Sequence, residues 1–175
     1  MKVRINAQAF HAAQQCAAAK DVRFYLNGVY LAPNGDCVGT DGYTLALTPG
    51  AGDFADIPHR LIKIKEVVPA KAEYIELDTD ARIASFVTLS EVVLRRVGYE
   101  TEPDEFRYPD YMRTVPKKTG PKEAIAFDGF YLARATKVFR SVKGIRFEFC
   151  TEINGPAVLT SPQSQTKMLV MPIRL

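Results

Sequence analysis

A pattern of structural signals near the N-terminus recurs near the C-terminus, and this repetition constrains the fold more than any other feature of the chain. In the first copy, residues 3–5 predict a strand, and Asn6 has a side chain suited to cap a helix. Ile5 and Phe10 have the spacing of a hydrophobic staple, which fixes the direction in which the chain starts a helix. The first copy therefore predicts a short strand followed by a helix over about residues 7–18.

The second copy has the same signals in the same order. Residues 125–127 predict a strand, Asp128 predicts a helix cap, and Phe127 with Leu132 forms the second staple. A helix is expected over about residues 129–141. In each copy an Arg-Phe pair opens the next strand after a nearly equal spacing. Matching caps, staples and exit strands predict two strand–helix–strands units, whose helices are the only long ones and lie side by side.

Further strands are predicted within and between these units. Turn-forming Asn-Gly and Asp-Gly pairs separate three segments of the first unit, which we expect to be strands at residues 22–32, 37–40 and 44–48. Segments rich in β-branched and aromatic residues predict strands in the middle of the chain, at residues 61–64, 74–80, 82–88 and 92–99. Pro69 leaves little room for a helix between the first two of these middle strands.

The predicted fold class is α+β, with two helices packed on antiparallel sheets. We expect residues 1–50 to form the first unit, residues 51–121 a strand-rich middle segment and linker, and residues 122–175 the second unit. Because both units are short, they are expected to share one compact body.

Composition limits the partners that the chain is expected to have. Hydrophobic residues make up 47% of the sequence, yet no apolar run reaches the about 18 residues that a membrane span needs, so no membrane partner is expected. The 3 cysteines are widely spaced, which predicts reduced thiols in a cytoplasmic protein. A net charge of +3 is weakly basic, so any contact with nucleic acid depends on where the charges lie.

The sequence offers no arrangement of residues that predicts catalysis. His11 and His59 have no cysteine or carboxylate at metal-ligand spacing, and both are interpreted as surface or cap histidines. Gly39 and Gly42 flank a turn between strands, whereas a phosphate loop opens a helix. We therefore expect no catalytic residue, no metal and no cofactor.

Four segments resemble the bacterial DNA sliding clamp, the processivity factor of the replicative polymerase. They are Lys-Asp-Val-Arg-Phe-Tyr-Leu-Asn-Gly-Val at 20–29, Gly-Thr-Asp-Gly-Tyr-Thr-Leu-Ala at 39–46, Tyr-Pro-Asp-Tyr-Met-Arg-Thr-Val-Pro at 108–116 and Val-Met-Pro-Ile-Arg-Leu at 170–175. They occur in the order in which similar segments occur in the clamp. The resemblance implies a DNA-clamp-like form of the α+β fold.

The resemblance also assigns each unit a counterpart in the clamp. The first unit resembles the first half of the clamp's middle domain, and the middle segment resembles a second half that has lost its helix. The second unit resembles the second half of the last domain. The chain is much shorter than a clamp, and a reduced clamp of this kind would suit a phage or prophage gene.

The clamp's pocket for partner peptides lies between its middle and last domains and is built from three of these segments. The resemblance places the following residues in that pocket: Leu26, Thr40, Gly42, Leu45, Pro109, Arg113, Thr114, Leu169, Met171, Pro172, Ile173 and Arg174. The alternative is that they are core residues of a shortened fold. Clamps have His-Arg where this chain has Tyr43-Thr44, which removes a cation from the pocket rim.

Contact with DNA is a second expectation. Three residues resemble the clamp loop that touches DNA, and four more are basic residues on or near the second helix: Lys20, Phe24 and Tyr25, then Arg23, Arg134, Lys137 and Arg140. Aromatic rings can stack on bases, and a basic helix facing the clamp's hole would neutralise phosphates. The alternative is a solvated basic helix face.

Together these patterns predict a non-enzymatic, clamp-like binding protein that presents a pocket to clamp-binding-motif peptides of replication or repair proteins and contacts DNA. A self-assembling, ring-forming processivity factor is the alternative, and an enzyme on a clamp scaffold is a third possibility that the lack of catalytic motifs argues against. The domains that form the clamp's own dimer interface have no counterpart here. We therefore expect a monomer or a small homo-oligomer.

Overall fold

The computed structural model describes residues 1–102, 106–121, 125–140, 144–152 and 154–173. Within these residues there are two α-helices, α1 (Ala7–Cys16) and α2 (Gly129–Val138), and two short 3-10 turns, Phe24–Leu26 and Tyr111–Thr114. The strands of the described residues are β1 (Lys2–Asn6), β2 (Val29–Leu31), β3 (Cys37–Thr40), β4 (Thr44–Thr48), β5 (Leu61–Lys63), β6 (Tyr74–Asp78), β7 (Ile83–Val87), β8 (Val93–Gly98), β9 (Glu100–Thr101), β10 (Arg146–Phe149), β11 (Ala157–Ser161) and β12 (Ser164–Val170).

These strands form two antiparallel sheets, as the α+β prediction requires. One sheet has the order β1-β6-β7-β8, and the other has the order β10-β11-β12-β4-β3-β2-β5-β9. The larger sheet crosses from the C-terminal unit to the N-terminal unit where β12 pairs with β4. At this junction Leu169 lies opposite Leu45, and Val170 lies opposite Thr44. The two units are therefore joined by a continuous ladder of backbone hydrogen bonds.

Helix α1 begins as its sequence predicts and ends two residues early. The side-chain oxygen of Asn6 accepts a hydrogen bond from the backbone N–H of Ala9 at 2.9 Å, which satisfies one of the free donors at the helix start. Ile5 and Phe10, the two residues of the staple, are fully buried in the same core cluster. The helix ends at Cys16, and Ala17 has extended backbone.

The two helices lie side by side, as predicted. Asp128 caps α2 by accepting a hydrogen bond from the N–H of Phe130 at 2.8 Å. From α1, the Gln8 amide donates to the carbonyl oxygen of Val138 at 2.8 Å. The His11 Nε2 lies 2.9 Å from the carbonyl oxygen of Lys137, and because a carbonyl only accepts, this nitrogen carries the proton.

His11 is a buried residue of the helix pair, so its interpretation as a surface or cap histidine was wrong. Its side chain is 5% exposed. Burial, together with the nearby Arg140 guanidinium, lowers the pKa of His11 to about 4. The imidazole is therefore neutral at physiological pH and acts as a hydrogen-bond donor between the helices.

Two predicted strands are shorter than expected. Of residues 22–32, only Val29–Leu31 is a strand. The Asn27 side chain accepts from the N–H of Asp21 and donates to its carbonyl oxygen, both at 2.8 Å, and such local bonds compete with sheet pairing. Of residues 125–127, only Ala126 takes part in a bridge, with Ile173. The four predicted middle strands are confirmed as β5 to β8.

The segment between β5 and β6 contains no helix, in agreement with the prediction from Pro69. One side chain of α1 and one that follows the end of α2 hold it in place. The Gln14 amide donates to the carbonyl oxygens of Ile64 and Glu66 at 2.8 and 2.9 Å. The Arg140 guanidinium donates to the carbonyl oxygen of Val68 at 2.5 Å. A hollow of about 860 Å³ lies between this segment and the helices.

Neither helix of the described residues has the length and apolar character needed to cross a membrane.

The close packing of α1 on β3 gives a stability prediction. A Cβ atom on Gly39 would lie 2.0 Å from the carbonyl oxygen of Ala13, whereas a Cβ on Gly98 would meet no atom within 4 Å. Gly39→Ala is therefore expected to lower the free energy of unfolding by at least about 2 kcal/mol, because the helix must move away from the sheet. Gly98→Ala is the control and is expected to leave it within about 1 kcal/mol. Urea denaturation followed by circular dichroism measures both, and equal stabilities would contradict this packing.

Candidate functional site

A pocket of about 200 Å³ lies at the junction between the two units, where β4 meets β12. Eight of the twelve residues predicted for the peptide pocket line it: Leu26, Thr40, Gly42, Leu45, Pro109, Thr114, Leu169 and Met171. They come from four separate segments of the chain. The fold thus brings together segments that are distant in sequence, although peptide binding itself stays a prediction.

The floor of the pocket is apolar and rigid. Leu45 and Leu169 are directly opposite each other in the β4–β12 ladder and are 6% and 3% exposed. Leu26, from the first 3-10 turn, is also buried. Met171 is half-exposed at the pocket's edge, and its N–H donates to the carbonyl oxygen of Tyr43 at 3.0 Å. The floor can therefore receive an apolar side chain, while Met171 remains free to adapt to it.

The Thr-Asp-Gly turn forms one rim and is held by its own side chains. The Asp41 Oδ1 accepts hydrogen bonds from the N–H groups of Tyr43 and Thr44 at 2.9 and 2.8 Å. The Thr40 hydroxyl donates to the carbonyl oxygen of Thr44 at 2.7 Å and accepts from the N–H of Gly42 at 3.1 Å. Gly42 has a φ of 93°, which disfavours any residue with a Cβ. The turn is therefore fixed before any ligand arrives.

Arg134 connects α2 to this turn. Its Nη1 donates to the Asp41 Oδ2 at 2.5 Å and to the Thr44 hydroxyl at 3.0 Å, and its side chain is only 19% exposed. The guanidinium lies 5.2 Å from the centre of the Tyr131 ring, and that ring stacks on Tyr43 at 5.4 Å. The sequence lacks the clamp's arginine after the turn, yet a guanidinium from another element reaches the same turn.

The opposite wall is the second 3-10 turn, Tyr111–Thr114, with Pro109 before it. The Tyr111 hydroxyl donates to the Asp36 Oδ2 at 3.0 Å. Burial, with the neighbouring Asp36 carboxylate, raises the pKa of Tyr111 to about 12, so the phenol remains a donor at physiological pH. Tyr108 stacks on Tyr30 at 4.1 Å beneath this wall. The stacked rings therefore hold the start of the wall against β2.

Comparison with known proteins shows a similarity of fold without a match in sequence. No protein-family profile matches the chain, and no curated protein matches its sequence. A DNA polymerase sliding clamp from Pseudomonas aeruginosa superposes with a TM-score of 0.66 and 16% identity over 100% of this chain and 67% of that one. A Caulobacter crescentus clamp gives 0.64 and 17% over 99% and 65%, and a Bartonella birtlesii clamp bound to griselimycin gives 0.63 and 15% over 99% and 66%.

The fold is sliding-clamp-like. The chain spans about two thirds of the length of these clamps, between 65% and 67% in the three comparisons. At this level of identity the similarity concerns the fold alone.

Three of the described residues predicted for the peptide pocket do not line it. Arg113 is exposed, and its Nε lies 3.8 Å from the Asp110 Oδ2. Pro172 and Ile173 continue past the pocket, and Ile173 pairs with Ala126. Arg174 lies outside the described residues.

Several lining residues were not predicted for the pocket. They are Arg23, Tyr25, Tyr43, Thr44, Asp110, Tyr111 and Pro156. Most of them belong to the clamp-like segments and could have been included on that basis. Pro156 follows an Asn-Gly pair that indicates a turn, but nothing in the sequence indicates that this turn lies beside the pocket. Arg23 and Tyr25 were assigned to DNA contact, but in this fold they are also close enough to the pocket to shape it.

Some of the residues predicted to contact DNA are exposed to solvent, whereas others already form ion pairs or hydrogen bonds within the protein. Lys20 and Lys137 are exposed, and Phe24 is 45% exposed beside the half-buried Tyr25. Arg23 pairs with Asp21 at 2.8 Å, and this guanidinium holds the pKa of Asp21 at about 2. Arg134 and Arg140 are engaged in the contacts described above. Of the three cations on or next to α2, Lys137 is the most available to solvent.

No group of residues that could hold a metal ion is found within the described parts of the chain. Its cysteines, Cys16, Cys37 and Cys150, are buried and free. Burial raises the pKa of the Cys16 thiol to about 12, so this thiol stays protonated.

The contact between Arg134 and Asp41 gives a second stability prediction. Arg134→Ala leaves a largely buried carboxylate without its cation and is expected to cost about 2 kcal/mol of unfolding free energy. Lys137→Ala, on the exposed face of the same helix, is the matched control and should change it by less than about 0.5 kcal/mol. Guanidinium chloride denaturation measures the difference. Equal stability of the two variants would mean that Arg134 does not hold the turn.

Proposed function

We propose that this protein is a non-enzymatic, clamp-like binding protein that captures short peptide motifs of replication or repair proteins at the β4–β12 junction. One observation carries the proposal. The turn at residues 39–46, the wall at residues 108–116 and Met171 resemble the segments that build the clamp's peptide pocket, and they surround a single pocket here.

The chemistry of the pocket supports a peptide ligand. Its floor is apolar, with Leu45 and Leu169 at the base, which suits an aliphatic or aromatic anchor. The half-exposed Met171 can repack around different anchors. The rim is held by internal hydrogen bonds, so little conformational entropy is lost when a ligand binds.

The chemistry supplied by the described side chains supports binding over catalysis. The pocket is lined by hydroxyls, phenols and apolar groups, together with Arg23 and Asp110 at its rim. The buried, unpaired cysteines agree with a protein that works in a reducing cytoplasm. The proposed partners are therefore clamp-binding-motif peptides.

A short peptide of the Gln-x-x-Leu-Phe type is expected to bind with heat detectable by isothermal titration calorimetry. Met171→Ala should weaken binding by at least about 2 kcal/mol, because it removes a side chain that covers the anchor. Leu45→Ala should also weaken it, whereas Lys71→Ala, in the segment between β5 and β6, should not.

Griselimycin, which is bound to the Pseudomonas aeruginosa and Bartonella birtlesii clamps, is a useful second probe. Its competition with the peptide would assign both to one site. The absence of heat at high micromolar peptide would contradict the proposal and favour a purely structural role for these residues.

We further propose weak contact with DNA through Lys20, Phe24, Tyr25 and Lys137. The exposed charges of Lys20 and Lys137 are suited to phosphates, and the exposed Phe24 ring with the half-buried Tyr25 ring is suited to bases. The contribution of Arg134 and Arg140 is expected to be small because both guanidinium groups already bind protein oxygens. The alternative function is a ring-forming processivity factor, in which several chains together encircle the duplex.

Circular and linear duplexes distinguish these two functions. A monomer or small oligomer should bind both equally in fluorescence anisotropy, with affinity that falls steeply as salt rises. The double variant Lys20→Glu and Lys137→Glu should lose this binding, while Lys71→Glu should keep most of it. Light scattering gives the mass in the same buffer. A stable tetramer or hexamer retained on circular DNA alone would instead establish the ring.

A further inference from the structure

A second hollow adjoins the pocket on the side of the C-terminal unit. It encloses about 850 Å³, and Thr114, Pro156 and Met171 line both spaces. The two hollows therefore meet along the line of these three residues. A peptide with an anchor in the pocket would pass Met171 and continue into the second hollow, which we call the basic groove.

The basic groove carries an excess of positive charge along one wall. Arg113 and Lys117 both line it and are exposed. No aspartate or glutamate occurs between residues 111 and 121. The opposite side contributes a single carboxylate among the lining residues, Glu152. The Asp110 carboxylate lies 3.8 Å from the Arg113 Nε, and both side chains are more than half exposed, so this ion pair leaves the guanidinium open to a second anion.

The basic wall is fixed at both ends. At its start, the Thr114 hydroxyl donates to the carbonyl oxygen of Tyr111 at 2.7 Å. At its end, Thr119 pairs with Cys150 in an isolated bridge, and the N–H of Gly120 donates to the carbonyl oxygen of Phe149 at 2.8 Å. The backbone that carries Arg113 and Lys117 is therefore positioned independently of a ligand.

We propose that the basic groove binds acidic side chains that flank the apolar anchor of the same peptide. The partner class is then a linear motif in which aspartate or glutamate lies next to the residues held in the pocket. The proposal rests on the proposed peptide-binding function, since the groove is reached through the pocket. Its basis is the continuity of the two hollows and the charge of Arg113 and Lys117.

The expected contribution is modest because the charges are exposed. Each solvated ion pair strengthens peptide binding by much less than a buried anchor does. Two such pairs should therefore improve affinity by about threefold to tenfold at low salt. The same charges attract an acidic peptide during its approach, and this effect is screened once the Debye length falls below about 10 Å. The advantage of acidic flanks should therefore disappear in high salt, while binding of the apolar anchor persists.

Three sets of fluorescent peptides with one apolar core test the proposal. Two flanking residues are Glu, Gln or Lys, placed before the core in one version and after it in another. Anisotropy titrations at low salt with the full chain should give the order Glu tighter than Gln tighter than Lys for at least one placement. Lys117→Glu combined with Arg113→Glu should reverse this order.

Double reversal of two remote charges is the control for a general effect of net charge. Lys71→Glu combined with Arg95→Glu, both at exposed positions outside the groove, changes the total charge equally and should keep the wild-type order. If all three flanks bind equally well to the wild type, the inference about the groove is overturned and the proposed peptide-binding function stands. If the control reverses the order as well, the groove is not the cause and the inference also fails. Failure of every peptide to bind would overturn both proposals.

Discussion

The pairing of β4 with β12 is the interaction on which the rest of the structure depends. It makes one sheet out of strands from both ends of the chain and places Leu45 opposite Leu169 at the base of the pocket. The buried hydroxyls of Thr48 and Thr166 meet across the same junction at 2.7 Å, so the pairing is strengthened by side chains as well as backbone. The strand pairing, the floor of the pocket and the contact between α1 and α2 all lie where the N-terminal unit meets the C-terminal unit. Separation of β4 from β12 would therefore remove the floor and the helix contact together.

Positive charge has two distinct roles near this junction. Arg134 is largely buried and neutralises Asp41, so its charge is used to keep the turn in shape. Arg113 and Lys117 are exposed on a fixed wall and retain their capacity to bind an external anion. The distinction is one of solvation: a buried guanidinium needs a carboxylate partner to offset its desolvation, whereas an exposed cation loses little by exchanging water for a ligand. Only the second kind can contribute to recognition.

Local signals in the sequence predicted most of the fold. The caps at Asn6 and Asp128 and the middle strands depend on neighbouring residues, and the structure confirms them. The prediction that a strand starts at residue 22 was wrong because the Asn27 side chain bonds to the backbone of Asp21. The hydropathy pattern gives no sign of such a side-chain hydrogen bond. The site was harder to predict. Helical periodicity placed Arg134 on a basic face but could not reveal that Asp41 lies against it. Pro156 is brought to the pocket by pairing between strands that are distant in the sequence.

The segment between β5 and β6 is held by hydrogen bonds to its main chain, which do not depend on the identity of its side chains. Gln14 and Arg140 bind four of its main-chain oxygens, those of Ile64, Glu66, Val68 and Pro69. Every amino acid has such an oxygen, so these bonds fix the path of the segment and place no demand on the side chains that it carries. A helix in the same position would instead need an apolar face complementary to α1. Ile64, Val68 and Ala72 still belong to the buried core, so this freedom is confined to the exposed positions. Of these, Val67 and Ala70 line the adjacent hollow, where a change of side chain would alter the surface at little cost to the fold.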